Sequence, residues 1–438
     1  MTTDTALQVG FGIVDITPPT GLWMCGSLDP RRNVGMTDPL LAHTLVAADG
    51  EERIAIVGVD LIGLPKALAD AMIAAASQRT GIDPAAILIS CSHTHSGPYT
   101  SEGLYSFGVT DSAYLATLPT LIAESVVKAN AACQPATMHI GRALIHHGLH
   151  NRRLLCPDGK AFNTWMTGAL NDLDLVPQVL GSCAPIDPEL WVVRFVDQTG
   201  QTLGVFFNFS VHTNAHFGNT WSADYPGVVA AAMRTAFGPQ VVTVFTPGAC
   251  ADINPTLGGP RWREGADFFA EQAVAAAQRA RPVVGPVRVA ARRRAVAVPR
   301  RDPATQPPEA IQRLQWGDRG GRADVFEPML DYVVALPDPL IVPVSAAHIG
   351  PLAIATNPGE LFVEHGLTIK RQSPFPHTVV AELTNDLIMY QPTAAAFAQQ
   401  GYETLVGANR VAPAGVDLIV KTAIALLQEL WQAEQEKK

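Results

Sequence analysis

Residues 87–98 read ILISCSHTHSGP: an apolar run of the kind that fills a buried strand, two histidines one residue apart, and a Ser-Gly-Pro turn. In an extended chain residues i and i+2 point to the same side, so His93 and His95 are expected to face one point at the end of that strand. Two imidazoles placed in this way form a metal clamp, or one ligand beside an acid–base group. Working outward, the runs IAIVGVD (54–60), AILISCS (86–92), LGVFFNFSV (203–211), VVTVFT (241–246) and PLAIAT (351–356) read as strands buried on both faces. Ala-rich stretches at 66–79, 112–132, 226–237 and 266–280 read as helices, with Gly81, Gly238 and Pro282 as stop signals. Near the end, Val416, Ile419, Val420, Ala423, Leu427, Leu430 and Trp431 fall on one face of a further helix that starts after Pro413 and Gly415. Strands alternating with helices make the fold class α/β, a mixed β-sheet core flanked by helices.

The strand ends carry the chemistry. LGVFFNFSV runs into His212 and then Thr213-Asn214-Ala215-His216; VVTVFT runs into PGACADINP with Asp252 and Asn254; PLAIAT runs into NPGE with Glu360. In α/β proteins ligands bind outside the carboxyl ends of strands. Four strands thus deliver histidines, an Asp/Asn turn and a glutamate to loops, and a mixed His/carboxylate set with an open position suits catalytic zinc. Two neutral imidazoles and one carboxylate leave the ion net positive, which lowers the pKa of a bound water to about 7. An adjacent unliganded histidine could then carry the proton.

Composition bounds the reading. The 438 residues are 47% hydrophobic and 16% charged, with 36 glycines and 34 prolines, too few for a low-complexity chain. One continuous catalytic domain over 1–438 is expected, with an Arg/Pro-rich excursion or flap at 282–325; from Pro282 to Arg322 nine arginines stand against Asp302, Glu309 and Asp318. A net charge of −9 argues against nucleic acid as a partner. The start lacks a basic segment followed by a long apolar run, and no stretch is apolar enough to span a bilayer. The six cysteines include no CxxC pair, which fits reduced thiols. A cytoplasmic protein without stable membrane association is the expectation, with a small molecule as its partner.

The motifs GIVDITPP, SHTHSGP, HHGLHNRR, DPELWVVRFVD, FSVHTN, GACADINP, NPGE, LTNDLIMYQPT and QGYE occur in this order along nearly the whole chain. In this collinear set the chain resembles the catalytic domain of the neutral ceramidases, zinc-dependent amidases that cleave an N-acyl bond. The resemblance implies Zn2+ as cofactor, with His93, His212, Glu360 and Tyr390 as its ligands. It implies His95 as general acid–base, and Arg152 and Tyr402 as the groups that hold the oxyanion. A guanidinium and a phenol are apt for that task, because fixed donors gain strength in a water-poor site.

One departure bears on mechanism. The family's GDVSPN-type turn carries a serine where this chain has Asn254, which can donate a hydrogen bond but cannot attack. Water activated by zinc is therefore the expected nucleophile, with Asn254 as an extra polariser. Cys250 in the same turn is the weaker alternative, since nothing near it in sequence would stabilise a thiolate. With neither a signal peptide nor the immunoglobulin-like domain of secreted ceramidases, a small soluble N-acyl or cyclic amide is expected as substrate. A true ceramidase, an ester or lactone hydrolase, and a metal-dependent lyase or isomerase remain alternatives, as does a carrier without turnover. Asp60 and Asp224 are expected near the site, orienting a ligand histidine or capping a helix. His146, His147, His150 and His216 receive no role.

Overall fold

A strand that is apolar along its whole length needs cover on both faces, and the chain supplies that cover three times with one topology. In the computed structural model, which describes residues 6–103, 109–164, 178–306, 310 and 323–436, the first unit begins with strand Gln8–Asp15. Leu41–Ala48 and Arg53–Val59 continue it as an antiparallel meander. Helix Lys66–Thr80 returns the chain so that Ile87–Cys91 runs parallel to Arg53–Val59, and helix Ser112–Ala131 follows. The second unit repeats the plan with strands Thr137–Leu144, Glu189–Val196 and Thr202–Phe209, helix Asp224–Phe237, parallel strand Val242–Pro247 and helix Trp262–Gln278. The third has strands Val289–Val298, Leu340–Ile349 and Leu352–Thr356, helix Val363–Gln372, parallel strand His377–Ala381 and helix Pro413–Glu436. In the first two units a two-residue strand, Gln134–Pro135 or Arg281–Pro282, then pairs with the first strand of its sheet. Nothing in the sequence reads as a repeat, yet the topology is one.

Alternation explains the two-sided burial. In the second sheet Val205, Phe207 and Phe209 pack under its helices with Tyr225 and Phe269, while Phe206 turns into a core shared with the other sheets. In the third, Val344, Ala346, Ala353 and Ala355 lie under the terminal helix, and Ala347, Ile349, Leu352 and Ile354 enter the shared core. Each fully buried aliphatic side chain contributes roughly 1.5–3 kcal/mol, so both faces of each strand favour this arrangement. The first two sheets meet closely at Gly58, where a Cβ would lie 2.4 Å from the Phe245 carbonyl oxygen.

The predicted strands and helices are present, and Gly81 ends its helix in the left-handed region at φ +73°. The stretch expected to be an excursion at 282–325 contains the regular strand Val289–Val298 at the edge of the third sheet. Its consecutive arginines suit an edge, where charge blunts pairing with another chain: Arg294 meets Glu429 at 3.0 Å and Arg293 Nη2 donates to the Ile87 carbonyl. Residues 307–309 and 311–322 of that stretch lie outside the described residues. Among the described residues no helix is long and apolar enough to cross a membrane.

Side chains tie the units where the parallel pairs end. Asn208 Nδ2 donates to the Thr246 and Val380 carbonyls, joining the second sheet to the third. Asn385 accepts from Ile89 N and donates to the Ile87 carbonyl, joining the third unit to the first.

Candidate active site

The loops after these parallel strands hold His93 and His95 from the first unit, His212 and Asn254 from the second, and Glu360 and Tyr390 from the third. The expected extended path through His93-Thr94-His95 is not what brings the first two rings together. The strand stops at Cys91, and His93 takes φ +65° while its N–H donates to the Leu61 carbonyl. A left-handed non-glycine residue costs of order 1–3 kcal/mol and is held only where its surroundings enforce it. Here the ring does so, with Nδ1 donating to the Ile62 carbonyl at 2.7 Å.

His95 and His212 are held in the same manner, Nδ1 to the Gly26 carbonyl at 2.7 Å and to the Cys250 carbonyl at 2.9 Å. A carbonyl only accepts, so each Nδ1 carries the hydrogen and each neutral ring presents a lone pair at Nε2. His93 Nε2 and His212 Nε2 are 3.1 Å apart, and Glu360 Oε2 lies 3.3 Å from the first and 3.7 Å from the second. Ligand atoms of His93, His95 and His212 all fall within 4.8 Å of one another. Glu360 Oε2 and His95 Nε2 are buried with no hydrogen-bond partner. Lone pairs at this spacing, beside an unpartnered carboxylate oxygen, fit a divalent cation of the zinc type. Burial, reinforced by the neighbouring His93, holds the pKa of His95 and of His212 well below the ordinary histidine value.

Beside this cluster is a cavity of about 230 Å³ lined by His95, Arg152, Asn254, Tyr390 and Tyr402, with Phe217 at 58% exposure on its rim. Glu360 pairs in register with Tyr390 across two short parallel strands, so the ligand candidate and the phenol share one support. The Tyr390 and Tyr402 rings meet edge to face at 5.4 Å, and the Arg152 guanidinium stands over the Tyr390 ring at 5.4 Å. Arg152 Nε donates to Glu403 Oε1 at 2.9 Å and its Nη1 to Asn254 Oδ1 at 3.3 Å. Burial works against the Arg152 charge, but Tyr390 and Glu403 outweigh it and hold the pKa above the ordinary arginine value. All eight candidate residues of the sequence reading therefore stand around one point.

Other residues stand apart from it. Cys250 Sγ donates to Glu382 Oε1 at 3.0 Å, and burial together with that carboxylate pushes the thiol pKa well up, which leaves no thiolate nucleophile. His216 Nδ1 meets Ser96 Oγ at 2.8 Å. His146 and His147 are exposed, and His150 faces Thr164. Asp60 accepts from Leu41 N, whereas Asp224 is the first residue of its helix and accepts from His216 N and Tyr225 N. Three contributors receive no role from the sequence, although Glu403 lies in the QGYE motif. Glu403 accepts from Arg152, Arg153 and Asn163; Arg31 donates to the His95 and Cys25 carbonyls; and Glu382 lies behind His212 and Glu360.

Residues 7–286 match the family model described as neutral/alkaline non-lysosomal ceramidase, N-terminal. A curated neutral ceramidase of Pseudomonas aeruginosa is 25% identical over 223 residues, which is 48% of this chain and 31% of that protein, so the match spans under a third of the relative's length. The solved neutral ceramidase of Pseudomonas aeruginosa superposes with a TM-score of 0.73 at 19% identity, covering 97% of this chain and 75% of that one. A ceramidase solved in complex with C2 gives 0.72 at 18% identity, over 97% and 76%. At such identities the superposition speaks for the fold, and it extends past residue 286 to the segments carrying Glu360, Tyr390 and Tyr402. The family match covers well over half of the sequence, and the chain belongs to the neutral/alkaline non-lysosomal ceramidase family.

Proposed function

We propose that this chain is a zinc-dependent hydrolase of an amide-type bond, N-acyl or cyclic, in a small substrate. The observation that carries the reading is the convergence of His93 Nε2 and His212 Nε2, 3.1 Å apart, beside the unpartnered Glu360 Oε2. His93, His212, Glu360 and Tyr390 would hold the ion, which when bound supplies Lewis-acid polarisation of the scissile carbonyl and of the attacking water. The chain's own residues do the rest. His95 faces the cavity with Nε2 unpartnered and its ring kept neutral by burial; it takes the proton of the attacking water and gives it to the leaving nitrogen. The water oxygen bonds to the carbonyl carbon and the C–N bond breaks, leaving a carboxylic acid and an amine. Arg152 and Tyr402 meet the carbonyl oxygen as it gains charge. Asn254, its Oδ1 already accepting from Arg152 and Asn214, adds an N–H donor.

Membership of the ceramidase family supports amide chemistry, and the cavity of about 230 Å³ favours a substrate smaller than a two-chain lipid. Six cysteines without a disulfide favour a reducing compartment such as the cytoplasm. The test is metal analysis of the purified protein, then chelation and zinc re-addition while assaying N-acyl amino acids, cyclic amides, lactones and short ceramides in isotopically labelled water. One zinc per chain, activity that leaves and returns with it, and water oxygen in the acid product are expected. No stoichiometric metal would end this reading; solvent deuterium on carbon without oxygen incorporation would replace hydrolysis by lyase or isomerase chemistry.

A further inference from the structure

Glu382 is fully buried, and no arginine, lysine or histidine pairs with it among the described residues. A carboxylate so placed is strongly unfavourable unless donors satisfy it. Its Oε2 accepts two main-chain N–H groups, from Cys250 at 3.2 Å and from Leu361 at 2.8 Å, and its Oε1 accepts the Cys250 thiol at 3.0 Å. Both backbone donors belong to the supports of the metal site. The Cys250 carbonyl is the acceptor that orients His212 through Nδ1, and Leu361 directly follows Glu360 in the strand that presents it. One oxygen therefore ties a loop of the second unit to a strand of the third.

We propose that Glu382 is a positioning residue of the metal centre: through Oε2 it sets the spacing between His212 and Glu360. The inference rests on the reading that those two residues hold the ion. It concerns the acceptor oxygen rather than the charge, because both N–H groups converge on the same atom. A glutamine of the same shape keeps that oxygen and places its amide nitrogen beside the thiol.

The test reads zinc affinity directly, by titrating Zn2+ into the metal-free full chain against a chelator of known affinity. Glu382→Gln should bind zinc within about threefold of the parent, whereas Glu382→Ala should bind it about 10–100-fold more weakly. Glu382→Met fills the space without an acceptor and should show the same loss, which covers the case in which the alanine variant does not fold. A folded Ala or Met variant with parental affinity would overturn the proposal, as would a Gln variant as weak as Ala. If neither Ala nor Met folds while Gln does, Glu382 serves the fold and not the site, and the proposal fails. A parent protein that takes up no zinc would instead overturn the assignment of the ligands.

Discussion

His93 Nε2 lies 3.1 Å from His212 Nε2, and a neutral ring at either position has no hydrogen to turn toward the other, because each Nδ1 hydrogen is held by a main-chain carbonyl. Two lone pairs therefore face one another beside a carboxylate oxygen, an arrangement that a cation relieves. Stripping the metal should lower stability. At an ion concentration about a thousand times Kd, binding contributes about 4 kcal/mol to the folded state. Denaturant unfolding of chelated and zinc-reloaded protein measures this, and coincident curves would count against a metal site here.

His95 should matter for rate and not for the ion. Its Nε2 is unpartnered and its ring lines the cavity, whereas His93, His212 and Glu360 do not. His95→Ala should lose about 10²–10⁴-fold in kcat with zinc content unchanged. Loss of zinc in that variant would make His95 a ligand. Gly26 offers a second handle: its carbonyl holds His95 Nδ1, its φ is +90°, and a Cβ there would lie 2.6 Å from the His95 Cβ. Gly26→Ala should also lower kcat while sparing zinc content.

Glu403 anchors the oxyanion side. Its Oε1 accepts from Arg152 Nε at 2.9 Å and its Oε2 from Arg153 Nη1 at 2.7 Å, with all three side chains at most 2% exposed. Burial raises its pKa, but the two arginines outweigh that and bring it below the ordinary glutamate value. Glu403→Gln leaves two buried guanidiniums without their counter-charge and should cost about 3–5 kcal/mol in urea unfolding. It should also lower kcat, because Arg152 loses the partner that aims it. A variant with parental stability would show that the pair is not the brace described.

The sequence pointed to residues that converge in space, but not to the path by which the chain brings them together. His93, His212 and Glu360 were legible because each follows an apolar run, and strand ends in α/β proteins are where ligands gather. The route was less legible: His93 sits in the left-handed region, fixed by a carbonyl of the loop that carries Ile62, which residue alternation does not describe. The threefold topology was hidden because an apolar run looks the same in a parallel or an antiparallel pair. Val289–Val298 was obscured by consecutive arginines that belong to a sheet edge. The roles of Glu382 and Glu403 were not legible, even though Glu403 lies in the QGYE motif, because their partners are distant in the chain, Cys250 lying 132 residues from Glu382 and Arg152 lying 251 from Glu403.

Asp224 makes a contribution of definite sign to the pH dependence of stability. It opens helix Asp224–Phe237 at φ +58°, with Oδ2 accepting from His216 N at 2.7 Å and Oδ1 from Tyr225 N at 2.6 Å. Burial raises its pKa to about 7, against the pull of those two N–H groups. An unfolded aspartate titrates near 3.9, so between about pH 4 and pH 7 the native state keeps a proton that the unfolded chain releases. At this group the native state binds more protons across that window, so its contribution to stability falls as pH rises, by of order 2–4 kcal/mol. His95 and His212, whose pKa values burial lowers, act in the opposite direction. Asp386, raised to about 7, and Asp252, raised to about 6, both chiefly by burial, act in the same direction as Asp224, so the parent's slope is shared. Asp224→Asn isolates one part of it: asparagine tolerates the left-handed backbone, keeps one acceptor oxygen and does not titrate. The variant should be less stable than the parent by about 1 kcal/mol near pH 5, where a hydrogen bond is lost. That deficit should shrink or reverse by about pH 8, where the parent carries the buried charge. Urea unfolding of both proteins across this range checks it, and a difference that stays constant with pH would mean that Asp224 does not hold its proton in the native state.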